Sequence, residues 1–218
     1  MESMEEVWDF LARDDLLVGW SETDLPLTTP FELKPEDFIA FAKEDLKENT
    51  ERSMVNALSN IKRAMDCRVL SLLYFLGIYG KAKKENWNFP KSADFLLRVG
   101  VLAPNILKKN NRKRNELEHD FKKPTCEEVT DYFDVASLFL GLTNQFLNKT
   151  YGDFHLCERL SEESHNPSWL SIKLNYEKEL IELMFVKKKC MKELEIPLDN
   201  EESYIRVLSQ LVKHLLNR

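Results

Sequence analysis

Residues 166–185 read Asn-Pro-Ser-Trp-Leu-Ser-Ile-Lys-Leu-Asn-Tyr-Glu-Lys-Glu-Leu-Ile-Glu-Leu-Met-Phe, and whether the chain is helical throughout turns on them. Asn166–Pro167 makes a good N-cap and first-turn pair, because Asn accepts from free helix N–H groups and Pro needs no partner there. Trp169, Ile172, Tyr176, Leu180, Leu183 and Cys190 then follow mostly helical spacing. A strand pair through Leu170–Tyr176 and Leu180–Phe185 is the weaker alternative. On the helical reading Pro197 ends this segment, and Ile205, Leu208, Leu211, Val212 and Leu215 make a closing helix.

Upstream, the apolar period is three to four almost everywhere. Val7, Trp8, Phe10, Leu11, Leu16, Leu17, Val18 and Trp20 suggest a short helix or two. Residues 21–34 carry Pro26 and Pro30 and read as a connector. Lys34–Pro35–Glu36–Asp37 starts a helix, with Pro and acids in its first turn. Met54, Ala57, Leu58, Ile61, Ala64, Met65, Arg68, Leu72, Phe75, Leu76 and Tyr79 predict one long helix over 50–79, ended by Gly80 and the following lysines. Within it Arg63, Asp66 and Arg68 interrupt the apolar pattern and read as surface or interhelical pairs. Ser92–Val99 is a short helix closed by Gly100. Residues 103–121 form a fourth helix and 125–151 a fifth, the latter with Thr125 as N-cap and Glu128 at the capping-box position. The expected fold is all-α: a bundle of four to five helices with additional N- and C-terminal helices. The expected division is an acidic N-terminal extension at 1–34, a helical domain at 35–151 and a C-terminal helical extension at 152–218 that packs on the bundle.

Hydrophobic residues are 43% of the chain and charged residues 31%, a globular balance rather than a disordered or membrane one. The longest apolar run, near Val69–Tyr79, is too short and interrupted to span a bilayer. The N-terminus opens with Glu2, Glu5, Glu6 and Asp9 instead of a basic start and apolar core, so the expectation is a cytoplasmic protein with no membrane partner. Cys67, Cys126, Cys157 and Cys190 are scattered without metal-ligand spacing; reduced, mostly buried thiols are expected, with no metal and no cofactor. Trp8, Trp20, Trp87 and Trp169 read as packing residues.

The net charge of −6 argues against a general nucleic-acid binder, but its distribution is uneven. Residues 1–50 hold fourteen Asp/Glu and four Lys/Arg, whereas residues 81–123 hold twelve Lys/Arg and five Asp/Glu. The middle of the chain is a basic island, which reads either as a solvated face, the usual case, or as a place where an anionic polymer docks. The helix 103–121 lies inside it. Its apolar stripe, set by Leu107, Leu117 and Phe121, passes through Arg114, seven residues from each end. An amphipathic helix places an apolar residue there. A buried guanidinium needs a partner carboxylate, for which Glu118 is in reach, or a cleft. His119 shares a face with Asn115 and lies about 140° round the helix from Arg114. That geometry suits a phosphate bridging the cation and the imidazole.

The run Arg114–Asn115–Glu116–Leu117–Glu118–His119 resembles the signature of the HEPN superfamily: Arg, a polar residue often Asn, three variable positions and His. Long helices before the motif and another after a short Pro-containing turn resemble the family's surroundings, and the resemblance covers roughly residues 35–151. It implies a HEPN-like bundle and a metal-independent endoribonuclease, in a toxin or antiviral-defence setting, or a non-catalytic relative that only binds RNA or assembles with proteins. It implies catalytic roles for Arg114, Asn115 and His119, an RNA path over Lys108, Lys109, Arg112, Lys113, Lys122 and Lys123, and a homodimer with a composite groove. It also leaves room for an antitoxin or other regulatory partner. Glu116, Glu118 and Asp120 interleave with the cations and work against a phosphate backbone.

Overall fold

A computed structural model describes residues 2–22, 29–101, 122–147, 151–159 and 166–216. In chain order they form α1 (Glu2–Leu11), β1 (Leu17–Glu22), α2 (Pro35–Glu48), α3 (Glu51–Phe75), α4 (Tyr79–Lys84), α5 (Phe89–Arg98), α6 (Cys126–Thr143), a 3₁₀ turn (Asn144–Phe146), β2 (Tyr151–Cys157), β3 (Trp169–Asn175), β4 (Leu180–Lys187), β5 (Cys190–Pro197) and α7 (Glu201–Leu216). The strands make one antiparallel sheet in the order β1-β2-β3-β4-β5. The fold is therefore α+β, and the all-α expectation is overturned. The segment from 152 to 197 is a meander of strands rather than a helical extension, and only α7 keeps the helix expected at the C-terminal end.

The physical reason lies in residues 169–197. Leu170, Ile172 and Leu174 on β3, Ile181, Leu183 and Phe185 on β4, and Ile196 on β5 are all buried. They recur every second residue, so all point to one face. The register pairs Leu170 with Phe185, Ile172 with Leu183 and Leu174 with Ile181, and Phe154 and Leu156 of β2 extend the same layer. The helical spacing of Trp169, Ile172, Tyr176, Leu180 and Leu183 is a coincidence of two strands facing each other across a turn. Asn175 starts that turn by accepting the Lys178 N–H (3.0 Å). The β4–β5 turn is Lys188–Lys189, both at positive φ (49° and 68°). That is the mirror-image hairpin conformation usually given to Asn and Gly.

α1 and α7 cover the apolar face. Phe10 packs against Phe185 with tilted rings 5.1 Å apart, and the Glu6 carboxylate pairs with Lys192 on β5 and with Lys187 on β4 at 3.4 Å. The two helices also bind each other. The Arg206 guanidinium lies 4.4 Å over the Trp8 ring, and Asp14, just beyond α1, pairs with Lys213 of α7 at 2.5 Å.

The helices of the middle of the chain lie between β1 and β2, which are sheet neighbours: Val18 pairs with Leu156 and Glu22 with Tyr151. The N-terminal residues expected as a separate extension thus supply one strand and one helix of the sheet layer. α2 and α3 form a hairpin through Asn49, which sits at φ 49°, and Thr50. Thr50 caps α3, its hydroxyl accepting from Ser53 N (3.1 Å) while Ser53 Oγ accepts from Thr50 N (2.9 Å). α6 packs across both, and α5 packs on α3. The long helix stops at Phe75, short of the expected residue 79, because Gly77 turns at φ +73°.

Two tyrosines from the sheet layer hold that stop. Tyr176 OH donates to Phe75 O (3.1 Å) and Tyr204 OH to Leu76 O (3.2 Å). Carbonyls at a helix C-terminus need donors from outside the ladder, and the phenols supply them to these two. Burial pushes the Tyr176 phenol up to about 12 and raises Tyr204 as well, so both remain donors at any physiological pH. A single apolar core runs through both layers. Among the described residues no helix is long and apolar enough to cross a membrane.

Candidate functional site

The described residues on either side of the sequence motif form defined helix ends. On its N-terminal side α5 closes on Gly100, at φ +84°, with Gly100 N donating to Leu97 O (3.0 Å) and Val101 N to Leu96 O (2.9 Å). On its C-terminal side Pro124 is buried and Thr125 starts α6 with the expected capping box: Glu128 N donates to Thr125 Oγ1 (3.2 Å), and Thr125 N to Glu128 Oε2 (3.0 Å). Arg114, Asn115 and His119, with Lys108, Lys109, Arg112 and Lys113, lie outside the described residues.

Of the residues assigned to an RNA path, Lys122 and Lys123 are described, and both are exposed. Lys123 pairs with Glu51 in the first turn of α3, the two side chains 63% and 75% exposed. So open a pair stabilises little. It leaves Lys123 available to exchange its carboxylate for a phosphate. The rest of the described basic island divides in two. Lys81 and Arg98 both reach Glu201 of α7, at 3.4 and 2.7 Å, and the Arg98 hydrogen bond leads in holding that carboxyl below its ordinary range. These two cations join the helical part to the sheet layer. Lys83 and Lys84 are exposed and carry no ion pair among the described residues. Lys91 is half-exposed between Glu85 (2.9 Å) and the Trp87 ring (4.6 Å).

Arg68 is the most buried charge described, at 1% exposure. Its Nη2 donates to Glu36, in the first turn of α2, and to Asn144 Oδ1 (2.8 Å), at the end of α6. One guanidinium thus joins three helices. Its Nε has no partner among the described residues, and burial lowers its pKa against the pull of Glu36. The sequence marks Arg68 as a break in an apolar stripe, but its partners lie 32 and 76 residues away, beyond any local spacing rule.

The other candidate ligands are dispersed. His214 is buried, its Nε2 3.3 Å from Leu11 O, and burial holds its pKa below the ordinary range. His155 pairs with Ser171 on the sheet face opposite the core. Only Cys67 of the four free cysteines is buried; Cys157 is half-buried, and Cys126 and Cys190 are exposed, so the expectation of mostly buried thiols holds for one. That outer sheet face forms a trough of about 310 Å³, into which Asp153, Glu182, Glu193 and Glu195 face with one cation, Lys173. A trough of that sign repels a phosphate backbone. No protein-family model, curated protein or solved structure matches the chain.

Proposed function

We propose that the protein is a cytoplasmic, metal-independent endoribonuclease acting on single-stranded RNA through Arg114, Asn115 and His119. The observation that carries the reading is sequence-borne: a guanidinium on a stripe that should be apolar, followed by an imidazole at a spacing one phosphate can bridge. The capping box that the sequence places at Thr125 and Glu128, directly after the motif segment, is formed, which supports the local reading of the chain there. The acidic sheet trough makes that face an unfavourable one for RNA.

RNA carries its own nucleophile. His119, with an ordinary pKa near neutrality, takes the 2′-OH proton as the oxygen attacks the adjacent phosphorus. Arg114 holds the non-bridging oxygens and stabilises their growing charge. The P–O5′ bond breaks, the leaving oxygen gains a proton, and the products are a 2′,3′-cyclic phosphate and a 5′-OH. Asn115 orients the imidazole or bonds the phosphate. Lys108, Lys109, Arg112, Lys113, Lys122 and Lys123 hold the backbone without reading sequence. Two copies facing across a two-fold axis would bring two such sets to one groove.

The test is a comparison of wild type with His119→Ala and Arg114→Ala on varied single-stranded RNAs in EDTA, with circular dichroism to check the fold. Loss of cleavage by about a hundredfold or more in a folded His119→Ala protein supports the proposal. RNA bound but never cut by wild type would favour the non-catalytic RNA-binding alternative.

A further inference from the structure

Between α3 and α5 lies a cavity of about 350 Å³. Its apolar wall is Val69, 1% exposed, and Leu70 of α3; across from them stand Trp87 and Phe89, both half-buried. Three polar groups complete the lining: Lys62, Asp66 and Ser92. Ser92 is 1% exposed, and its hydroxyl, at the cavity lining, can donate to or accept from a ligand.

The indole of Trp87 is fixed in place. Its N–H donates to Glu85 Oε2 (2.8 Å), Phe95 packs against its ring at 5.7 Å, and the Lys91 ammonium stands 4.6 Å from its centroid. Two lysines stand at the cavity: Lys62 in its lining and Lys91 on the Trp87 ring. Cations outside and aromatic walls inside are the two halves of a single-strand binding site, one for phosphates and one for a base. Asp66 at the lining disfavours a phosphate entering the cavity itself, whereas a base is uncharged. The volume is at the small end of ligand pockets, enough for one ring system.

We infer that this cavity takes one nucleobase of a single-stranded RNA, with Trp87 and Phe89 as its aromatic walls, Ser92 bonding the base edge and Lys62 and Lys91 meeting the flanking phosphates. The inference deepens the ribonuclease reading by naming a base-binding subsite, and rests on it for the identity of the polymer. It adds a source of sequence or structure preference that the motif residues, directed at the phosphate, do not supply.

The test uses the full chain labelled with ¹⁵N and titrated with the four nucleoside 5′-monophosphates, with ribose 5-phosphate as the control lacking a base. The Trp87 indole N–H signal is assigned with Trp87→Phe. The inference predicts that a nucleotide moves that signal and ribose 5-phosphate does not. It also predicts that Phe89→Ala, and Phe89→Leu as the variant that keeps apolar burial, weaken binding of a 2′-O-methyl oligonucleotide about 5- to 150-fold. A Trp87 signal that ignores every nucleotide, or answers ribose 5-phosphate equally, overturns the inference, as does unchanged affinity in Phe89→Leu. The two readings fail separately. Cleavage of RNA with a silent Trp87 removes only the subsite; a responsive Trp87 in a protein that cuts no RNA removes only the nuclease.

Discussion

Replacing either member of the Arg68–Glu36 pair should destabilise the protein by unequal amounts, and the order is set by burial. The Arg68 side chain is 2% exposed and that of Glu36 54%. Glu36→Gln strands a guanidinium in the core, with only the neutral Asn144 and the new, equally neutral amide to accept from it. Breaking a fully buried pair in this way costs about 3–5 kcal/mol. Half of the Glu36 carboxylate is in water, so screening brings the figure to about 2 kcal/mol. Loss of an acid from the first turn of α2 adds roughly 0.5 kcal/mol. Arg68→Met removes the charge and the unsatisfied Nε together, keeps most of the volume and leaves Glu36 solvated. Its main loss is the Asn144 hydrogen bond, about 1 kcal/mol. In the Arg68→Met background, Glu36→Gln should cost only the helix-end term, so the double variant sits near the Arg68→Met single. The coupling energy is then about 2 kcal/mol. Urea unfolding at pH 7 measures it, provided the slope is unchanged among the four proteins. Arg68→Met costing more than Glu36→Gln, or a coupling below about 0.5 kcal/mol, would refute the reasoning.

Three further outcomes follow from the fold. Lys188→Asn with Lys189→Gly gives the β4–β5 hairpin residues that tolerate φ of 49° and 68°, and should raise stability by about 1 kcal/mol in urea unfolding; a loss would mean the turn is not of this type. At Gly77 any Cβ would stand 2.7 Å from Tyr204 OH, and φ is +73°, so Gly77→Ala should cost about 1–3 kcal/mol by the same assay, with part of the cost recovered in Tyr204→Phe. His214 is held neutral by burial, with Nε2 facing Leu11 O. Its folded pKa lies below the unfolded value of about 6.5, so the unfolded chain binds the extra proton first. The stabilisation is complete above that value and is lost as pH falls from about 6.5 toward the folded pKa. Thermal unfolding from pH 7.5 to 5 should therefore show a decline that His214→Gln removes. The carboxylates held low by cations, Glu6, Asp14 and Glu201, and Glu85, held low by the Trp87 indole N–H and then by Lys91, contribute a separate loss at more acidic pH.

The helices were legible where a local cap and a long apolar period agreed. Pro35 with Glu36 and Asp37 begins α2, and Thr125 with Glu128 begins α6, each within two residues of the reading. The sheet was not, for three physical reasons. Ile172 and Leu183 share a rung of the ladder yet also fit a helical count along the chain. The Lys188–Lys189 turn lacks the Asn or Gly that announces a hairpin. The outer face carries Met184 and Val186 beside Glu182, which blurs the alternation expected of a half-exposed strand. The pairing of β1 with β2 spans the whole helical part, and no local pattern reports it. At the candidate site, Arg114 and His119 stand out in the sequence because a charge falls on the apolar stripe of an expected helix, and both lie outside the described residues. The α3–α5 cavity was not legible, because Val69, Trp87 and Ser92 belong to no motif and meet only through packing. The expectation that Trp87 is a packing residue describes its contact with Phe95 but not the cavity it borders.

The measurement that tests the account most directly is an end-group analysis of single-stranded RNA incubated with purified protein in excess EDTA. The account predicts fragments bearing a 2′,3′-cyclic phosphate and a 5′-OH, formed by wild type and not by a folded His119→Ala protein, with a 2′-O-methyl strand left intact because it has no nucleophile. Fragments ending in 3′-OH and 5′-phosphate, cleavage of the 2′-O-methyl strand, or undiminished cutting by His119→Ala would contradict it.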